Sequence, residues 1–178
     1  MFITPFLNRK IFTETNKYVV KAAPQGIKIL DTRKTTPGLR FLEKYAVRIG
    51  GGNNHRFSQM DAWMVKDNHK KIFGGVDKAI NYFHSMNTFY QPIIVEIHDL
   101  SELEVAIKAG GTNFLLDNFS PSDIREAVKI KRDGMTFEAS GGIHLENIKD
   151  YNITGLDAIS SGALIYNART VDLSLKFS

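Results

Sequence analysis

The sequence predicts an α/β fold, an incomplete (β/α) barrel of about six parallel strands that resembles a TIM barrel. Short apolar runs alternate with segments of helical periodicity along most of the chain. Strands that alternate with helices form parallel βαβ units, with connections as long as those found here. At 178 residues the chain is shorter than the ~250 residues typical of a complete eight-stranded barrel. The barrel is therefore expected to be incomplete.

The predicted strands are apolar enough to be buried on both faces, as strands of a parallel sheet are. They are residues 27–30, 62–65, 93–97, 114–116, 135–139 and 156–160. Helices are predicted between them because proline, glycine or capping residues precede each periodic segment. These helices are residues 39–49, 76–83, 101–109, a helix from Pro121, residues 145–151, and a tail helix at 168–175.

Residues 1–26 are interpreted as an N-terminal helix with a start of its own, and residues 27–178 as the barrel catalytic domain. Apolar residues from Ile11 to Ala22 follow helical spacing, and Pro24-Gln25-Gly26 ends that helix. The whole chain is expected to form a single domain.

Composition excludes several classes of protein. The chain has no cysteine, so disulfides and thiolate metal sites are impossible. The sequence contains no apolar run of the ~20 residues that a membrane span needs, and its N-terminus reads poorly as a signal peptide. We therefore expect a cytoplasmic protein with no membrane partner.

The net charge of +4 is uneven, because residues 31–71 contain nine Lys or Arg and four Asp or Glu. These charges lie among glycine-rich turns, without the interleaved aromatics of a nucleic-acid surface. We expect a small anionic ligand and no nucleic acid. No GxGxxG motif opens a helix, so a dinucleotide-binding fold has no support.

Each predicted strand is followed by polar or charged residues. Because the carboxyl ends of barrel strands meet at one mouth, these residues are expected to form one site. The first two strands supply basic groups, the next two supply carboxylates, and the last two supply glycine turns whose N–H groups suit phosphate. The candidates are Arg33, Lys34, His55, Arg56, Lys66, Glu96, Asp117, Ser140, Gly141, Gly142, Ser161 and Gly162.

Seven segments carry a resemblance to a known family. They are IFTETNKYV (11–19), residues 31–56 from DTRKTTPGLR to GGGNNHR, VKDNH (65–69), VEI (95–97), LLDNFSP (115–121), FEASGGI (137–143) and DAISSGAL (157–164). In this order they resemble quinolinate phosphoribosyltransferase, the catalytic barrel domain in particular. The resemblance implies an enzyme of NAD biosynthesis. Quinolinate and phosphoribosyl pyrophosphate would give nicotinate mononucleotide, pyrophosphate and CO2, with Mg²⁺ as cofactor.

The resemblance also implies roles for the candidates. Arg33, His55, Arg56 and Lys66 would bind quinolinate, with Lys34 beside them, and Glu96 and Asp117 would hold the ribose hydroxyls and Mg²⁺. Ser140, Gly141, Gly142, Ser161 and Gly162 would hold phosphate. The expected catalytic groups are Lys34, Lys66, Glu96 and Asp117.

The family pattern is incomplete in this sequence. Its N-terminal domain, which in the family closes the active site of a second subunit and adds an arginine there, is not recognised. His98 stands where a second carboxylate is common. We expect a homo-oligomer, or a separate chain that supplies the N-terminal domain. Apolar residues near the start (Phe2, Phe6, Ile11 and Phe12) are expected to be partly uncovered.

Two other interpretations remain open. The chain is alternatively a catalytically impaired remnant that binds a phosphorylated ligand or a full-length homologue. A less favoured alternative is an aldolase-type barrel in which Lys66 forms a Schiff base.

Overall fold

The computed structural model describes residues 4–22 and 26–168. Most of the predicted tail helix, together with Phe2, lies outside the described residues, as does the side chain of Phe6. Every helix of the described residues is too short or too polar to cross a lipid bilayer.

Strands and helices alternate as predicted. The strands are β1 (Lys28–Leu30), β2 (Trp63–Val65), β3 (Ile93–Ile97), β4 (Asn113–Asp117), β5 (Thr136–Ser140) and β6 (Ala158–Ser160). The helices are α1 (Thr4–Ala22), α2 (Arg40–Ile49), α3 (Asp67–Phe73), α4 (Val76–Met86), α5 (Leu100–Lys108), α6 (Pro121–Lys129) and α7 (Ala163–Tyr166), with a 3-10 helix at Ile148–Tyr151.

The six strands form one parallel sheet in the order β1-β6-β5-β4-β3-β2. The first two strands therefore lie at opposite edges of the sheet. Asn53 makes a parallel bridge beside Leu30, so the chain between the edge strands begins to fill the gap. This order matches the expected incomplete barrel, because the sheet leaves one seam between β1 and β2.

The two faces of the sheet differ in chemistry, because alternate residues of a strand point to opposite faces. One face packs with the helices in a continuous apolar core that includes Ile29, Val95, Phe114, Phe137, Ile159, Ile80, Leu103 and Ile124. The other, which we call the inner face, carries Glu96, Leu115, Glu138 and Ala158 as register neighbours on β3 to β6. The inner face is therefore partly polar, as the floor of a binding site would be.

The N-terminal helix is part of the same core rather than a separate unit. Ile11, Tyr18 and Ala22 of α1 are buried with the strand residues. Burial raises the pKa of the Tyr18 phenol to about 12, because the tyrosinate loses its hydration. The expectation that Ile11 is uncovered is wrong, since Ile11 is buried, whereas Phe12 is exposed.

Local signals explain most helix ends. Ser120 caps α6, because its hydroxyl accepts from the Asp123 N–H at 3.2 Å, and Pro121 occupies the first turn. Helix α5 begins one residue before the predicted capping box, with Asp99 as its cap. The predicted helix at 145–151 is reduced to the 3-10 helix, and helices α3 and α7 were not predicted.

Candidate active site

A cleft of about 410 Å³ lies beside β2 and extends from Trp63, the first residue of that strand, to Lys66 just after its carboxyl end. Its basic lining comes from Arg33, Arg56 and Lys66, three of the residues predicted to bind an anionic substrate. Its apolar wall comes from Trp63 and, on α4, Tyr82, Phe83 and Met86. Cationic groups beside an apolar wall suit a flat ligand that carries negative charges.

A buried ion pair fixes the loop that delivers two of the predicted residues. Asp31, fully buried just after β1, accepts a hydrogen bond from Lys44 Nζ on α2 and another from the His55 N–H at 2.9 Å. Lys44 Nζ also donates to the His55 carbonyl at 3.0 Å. Burial raises the pKa of Asp31, and the bonds from Lys44, Asn54 and His55 oppose that rise. The pair therefore anchors the glycine-rich loop to β1.

The loop after β1 is held by α2 in a different way. Glu43 accepts from the Thr36 N–H at 2.9 Å and from the Thr36 hydroxyl at 2.6 Å. Arg40 Nη2 donates to the Arg33 carbonyl at 3.2 Å. Helix α2 therefore sets the path of the backbone around Arg33, while Lys34 is exposed on that loop and does not line the cleft.

Arg56 spans the seam of the sheet. Its Nη1 donates to the Ala62 carbonyl at 3.0 Å, just before β2, and its Nη2 lies 3.3 Å from Met64 Sδ. Burial lowers the pKa of the Arg56 guanidinium, and the nearby charge of Arg33 lowers it further. The charges of Glu96, Asp61 and Glu138 act in the opposite direction on Arg56. An anion bound between Arg33 and Arg56 would further relieve their mutual repulsion.

The structure changes the interpretation of His55. Its Nδ1 accepts from the Arg56 N–H at 2.8 Å, and its Nε2 lies 3.4 Å from Glu138 Oε2. Both ring nitrogens face protein groups, so a direct contact of His55 with quinolinate is not available in this geometry. His55 instead supports the residue that follows it.

Lys66 and Glu96, predicted from separate strand ends, form an ion pair across the mouth of the sheet. Glu96 is buried, whereas half of the Lys66 side chain is exposed. The pair places an anion-binding group directly beside a carboxylate. Lys66 is thus already paired with a carboxylate, and an anionic substrate would compete with Glu96 for it.

The second predicted carboxylate, Asp117, does not meet Glu96 directly. The imidazole of His98 stands between them, with Nε2 3.8 Å from Glu96 Oε1 and Nδ1 4.0 Å from Asp117 Oδ2. His98 Nε2 also lies 2.6 Å from Asp67 Oδ1, and ligand atoms of Asp67, Glu96 and His98 lie within 4.8 Å of one another. The imidazole of His98 therefore lies between the two carboxylates predicted to bind Mg²⁺, and Asp67 is a third carboxylate at the same place.

The predicted phosphate turn after β5 has a backbone that only glycine adopts readily. Gly141 and Gly142 have φ of 93° and 59°, and Ser140 precedes them. A Cβ on Gly141 would lie 2.3 Å from Asn118 Oδ1, while Asn118 itself has φ 58° and donates to Asp117 Oδ2 at 2.9 Å. The turn and the end of β4 are therefore fitted closely together.

Ser161 and Gly162 follow β6, but they differ in role. Ser161 is buried, its hydroxyl donates to the Ile143 carbonyl at 2.6 Å, and its N–H donates to the Leu30 carbonyl at 3.0 Å. Its predicted phosphate contact is therefore corrected, because both of its donors are used inside the protein. Gly162 remains a candidate at the start of α7.

Sequence reasoning missed three groups at this site. Asp67 and Glu138 are not among the predicted site residues, and His98 was noted only as a departure from the family pattern. The signal for Glu138 was alternation, since polar Thr136, Glu138 and Ser140 share one face of β5. His69 on α3 accepts from the Lys66 N–H at 3.0 Å and so helps to cap that helix.

Comparison with known proteins agrees with this architecture. A profile of the quinolinate phosphoribosyl transferase C-terminal domain matches residues 11–176. A probable carboxylating nicotinate-nucleotide pyrophosphorylase of Methanothermobacter thermautotrophicus is 43% identical over 161 residues, which are 88% of this chain and 58% of the relative. That of Bacillus subtilis is 42% identical over 165 residues, 93% of this chain and 57% of the relative.

Solved structures give the same result. The nicotinate-nucleotide pyrophosphorylase of Francisella tularensis superposes with a TM-score of 0.88 at 41% identity, over 94% of this chain and 59% of that one. The chain thus spans less than two thirds of the length of these relatives. From the profile match and the shared barrel, the chain belongs to the quinolinate phosphoribosyltransferase family, in which it corresponds to the C-terminal domain.

Proposed function

We propose that this chain transfers the phosphoribosyl group of phosphoribosyl pyrophosphate to quinolinate, with loss of CO2, to give nicotinate mononucleotide and pyrophosphate. The observation that carries the proposal is the convergence of Arg33, Arg56 and Lys66 on one cleft beside an apolar wall. Family membership supports it, because the relatives bear the name of this activity.

The basic side chains of the cleft would bind the dianionic ring. Arg33 and Arg56 offer planar guanidinium groups, which bind carboxylates through two parallel hydrogen bonds, and Trp63 and Phe83 offer an apolar surface for the ring. Arg33 Nε is buried without a partner among the described residues, so it is a donor that a carboxylate would satisfy. Binding would place the ring nitrogen as the nucleophile toward the sugar.

The carboxylates would act on the sugar. As pyrophosphate leaves, positive charge develops on the ribose ring, and carboxylates fixed nearby stabilise that charge. Glu96 and Asp117 lie at the ends of neighbouring strands and suit this role, or that of acceptors for ribose hydroxyls. The Gly141-Gly142 turn and Gly162 would receive the phosphate ester through backbone N–H groups.

The residues present fit Mg²⁺, because carboxylate oxygens are the ligands that this ion prefers. Glu96, Asp67 and Asp117 would hold it together with the co-substrate, after a shift of Lys66 away from Glu96. When bound, Mg²⁺ supplies positive charge next to the departing pyrophosphate.

The test is incubation with quinolinate, phosphoribosyl pyrophosphate and Mg²⁺, followed by chromatographic detection of nicotinate mononucleotide. A second arm adds the N-terminal portion of the Bacillus subtilis relative as a separate polypeptide, because the chain spans 57% of that relative. A third arm uses Glu96→Gln, which should abolish most turnover. Absence of product in the first two arms would reject the proposal. Mass analysis of the native protein tests the proposed homo-oligomer.

A further inference from the structure

We propose that Glu138 is a positioning residue of this site, which fixes Arg56 by way of His55. The proposal rests on the function proposed above and assigns Glu138 a part in it. The relay runs from Glu138 Oε2 to His55 Nε2 at 3.4 Å, and from His55 Nδ1 to the backbone N–H of Arg56 at 2.8 Å.

The place of Glu138 in the sheet makes it unusual. Its register neighbours are Leu115 on β4 and Ala158 on β6, both apolar and buried. Burial of a carboxylate between two such neighbours carries a desolvation penalty, whereas an apolar side chain would pack there without one. A role in packing therefore does not explain a glutamate at this position.

Its hydrogen bonding points the same way. Glu138 Oε1 is buried and has no hydrogen-bond partner within residues 4–22 and 26–168. Buried carboxylate oxygens in stable proteins are almost always paired, so an unpaired one marks a group kept for something other than stability. The Glu138 charge also raises the pKa of Arg56, against the larger effects of burial and Arg33.

The relay has a definite direction, because the two ring nitrogens of His55 have different roles. Nδ1 accepts from a backbone N–H, so in the neutral ring the proton lies on Nε2, the nitrogen that faces Glu138. His55 is mostly buried, with 9% of its side chain exposed. Glu138 thus fixes the orientation of a ring whose other nitrogen fixes the backbone of a predicted substrate-binding arginine.

The test is calorimetric titration of quinolinate into the wild type and variants. Glu138→Ala should weaken binding about tenfold, because the His55 ring loses the charged neighbour that holds it against the Arg56 backbone. Glu138→Gln should keep most of the affinity, because its amide oxygen accepts from Nε2. On a His55→Ala background, Glu138→Ala should cause no further loss. The control is Glu126→Ala, an exposed carboxylate of α6 that pairs with Lys129.

Thermal unfolding separates positioning from a structural role. The Glu138→Ala midpoint should stay close to that of the wild type, since removal of the unpaired buried Oε1 offsets the loss of the contact between Oε2 and His55. Unchanged affinity in Glu138→Ala, an equal loss on the His55→Ala background, or a fall in midpoint that parallels the affinity loss would each overturn the proposal.

A measurement on the ligand-free protein keeps the relay testable if wild type binds no quinolinate, a result that would reject the proposed function. In ¹⁵N-histidine spectra, Glu138→Ala should shift the Nε2 resonance of His55 more than its Nδ1 resonance, with assignment from His55→Ala. An unmoved Nε2 resonance would overturn the relay whatever the catalytic result.

Discussion

Substitution of Arg56 tests the basic cleft most directly. Loss of a charged partner to a bound carboxylate costs about 2–5 kcal/mol, so Arg56→Ala should raise the Kd for quinolinate about 30-fold or more. A ligand at ~100 times its Kd stabilises the native state by about 2.7 kcal/mol. For a chain of 178 residues this corresponds to a rise in Tm of about 5–11 °C.

The same quinolinate concentration should raise the Tm of Arg56→Ala by only about 2–3 °C, because the ratio of ligand to Kd falls to about three. The ligand-free Tm is measured as well, because Arg56→Ala removes both the repulsion from Arg33 and the hydrogen bond to the Ala62 carbonyl. Differential scanning fluorimetry measures both values. Arg132→Ala, an exposed arginine after α6, is the charge-matched control and should retain the full shift. Equal losses in the two variants would show that quinolinate responds to overall charge, and the site assignment would fall.

Three further predictions concern the support of the site. Asp31→Asn should lower the free energy of unfolding in urea by about 3–5 kcal/mol, because it leaves Lys44 buried without its charged partner. The double variant Asp31→Asn, Lys44→Met should regain most of that free energy. Gly141→Ala should lower the free energy of unfolding by about 1–3 kcal/mol in thermal unfolding. Gly134→Ala should lower it less, because Gly134 also has a positive φ but has open space where a Cβ would lie. Equal losses would contradict the close contact at Gly141. Folding raises the pKa of Tyr18 from 10.0 to about 12. The contribution of Tyr18 to the free energy of unfolding should therefore be fully present below pH 10 and be lost as the pH rises toward 12. A Tyr18→Phe variant whose stability declines equally over this range would contradict the assignment.

The strands and their order along the chain were predictable from sequence because their signals are local. Apolar runs such as IIVEI, bounded by turn residues, read as buried strands without knowledge of their neighbours. Helix α3 was missed because DNHKKIF is mostly polar, and its exposed Ile72 breaks the expected apolar face. Packing and the cap from His69 stabilise this helix instead.

The site was predictable as a set of residues but not as an arrangement. Lys66 and Glu96 were expected in one site because both lie at the carboxyl ends of strands, although they are 30 positions apart in the chain. The interposed ring of His98 and the relay through Glu138 depend on strand register and on rotamers, which no local pattern encodes. The same holds for Ser161, whose hydroxyl turns inward to Ile143 rather than toward the mouth.

The contact between Gly141 and Asn118 has a consequence for the history of the sequence. Any side chain at position 141 would collide with the Asn118 amide and backbone, at 2.3 Å from Oδ1 and 2.7 Å from N. Asn118 in turn keeps a left-handed φ of 58° that few residues other than glycine, asparagine and aspartate tolerate. Because one of the clashing atoms is the backbone N of residue 118, no substitution at position 118 would make room for a side chain at position 141. Position 141 is therefore expected to remain glycine in descendants of this sequence, whichever residue stands at position 118.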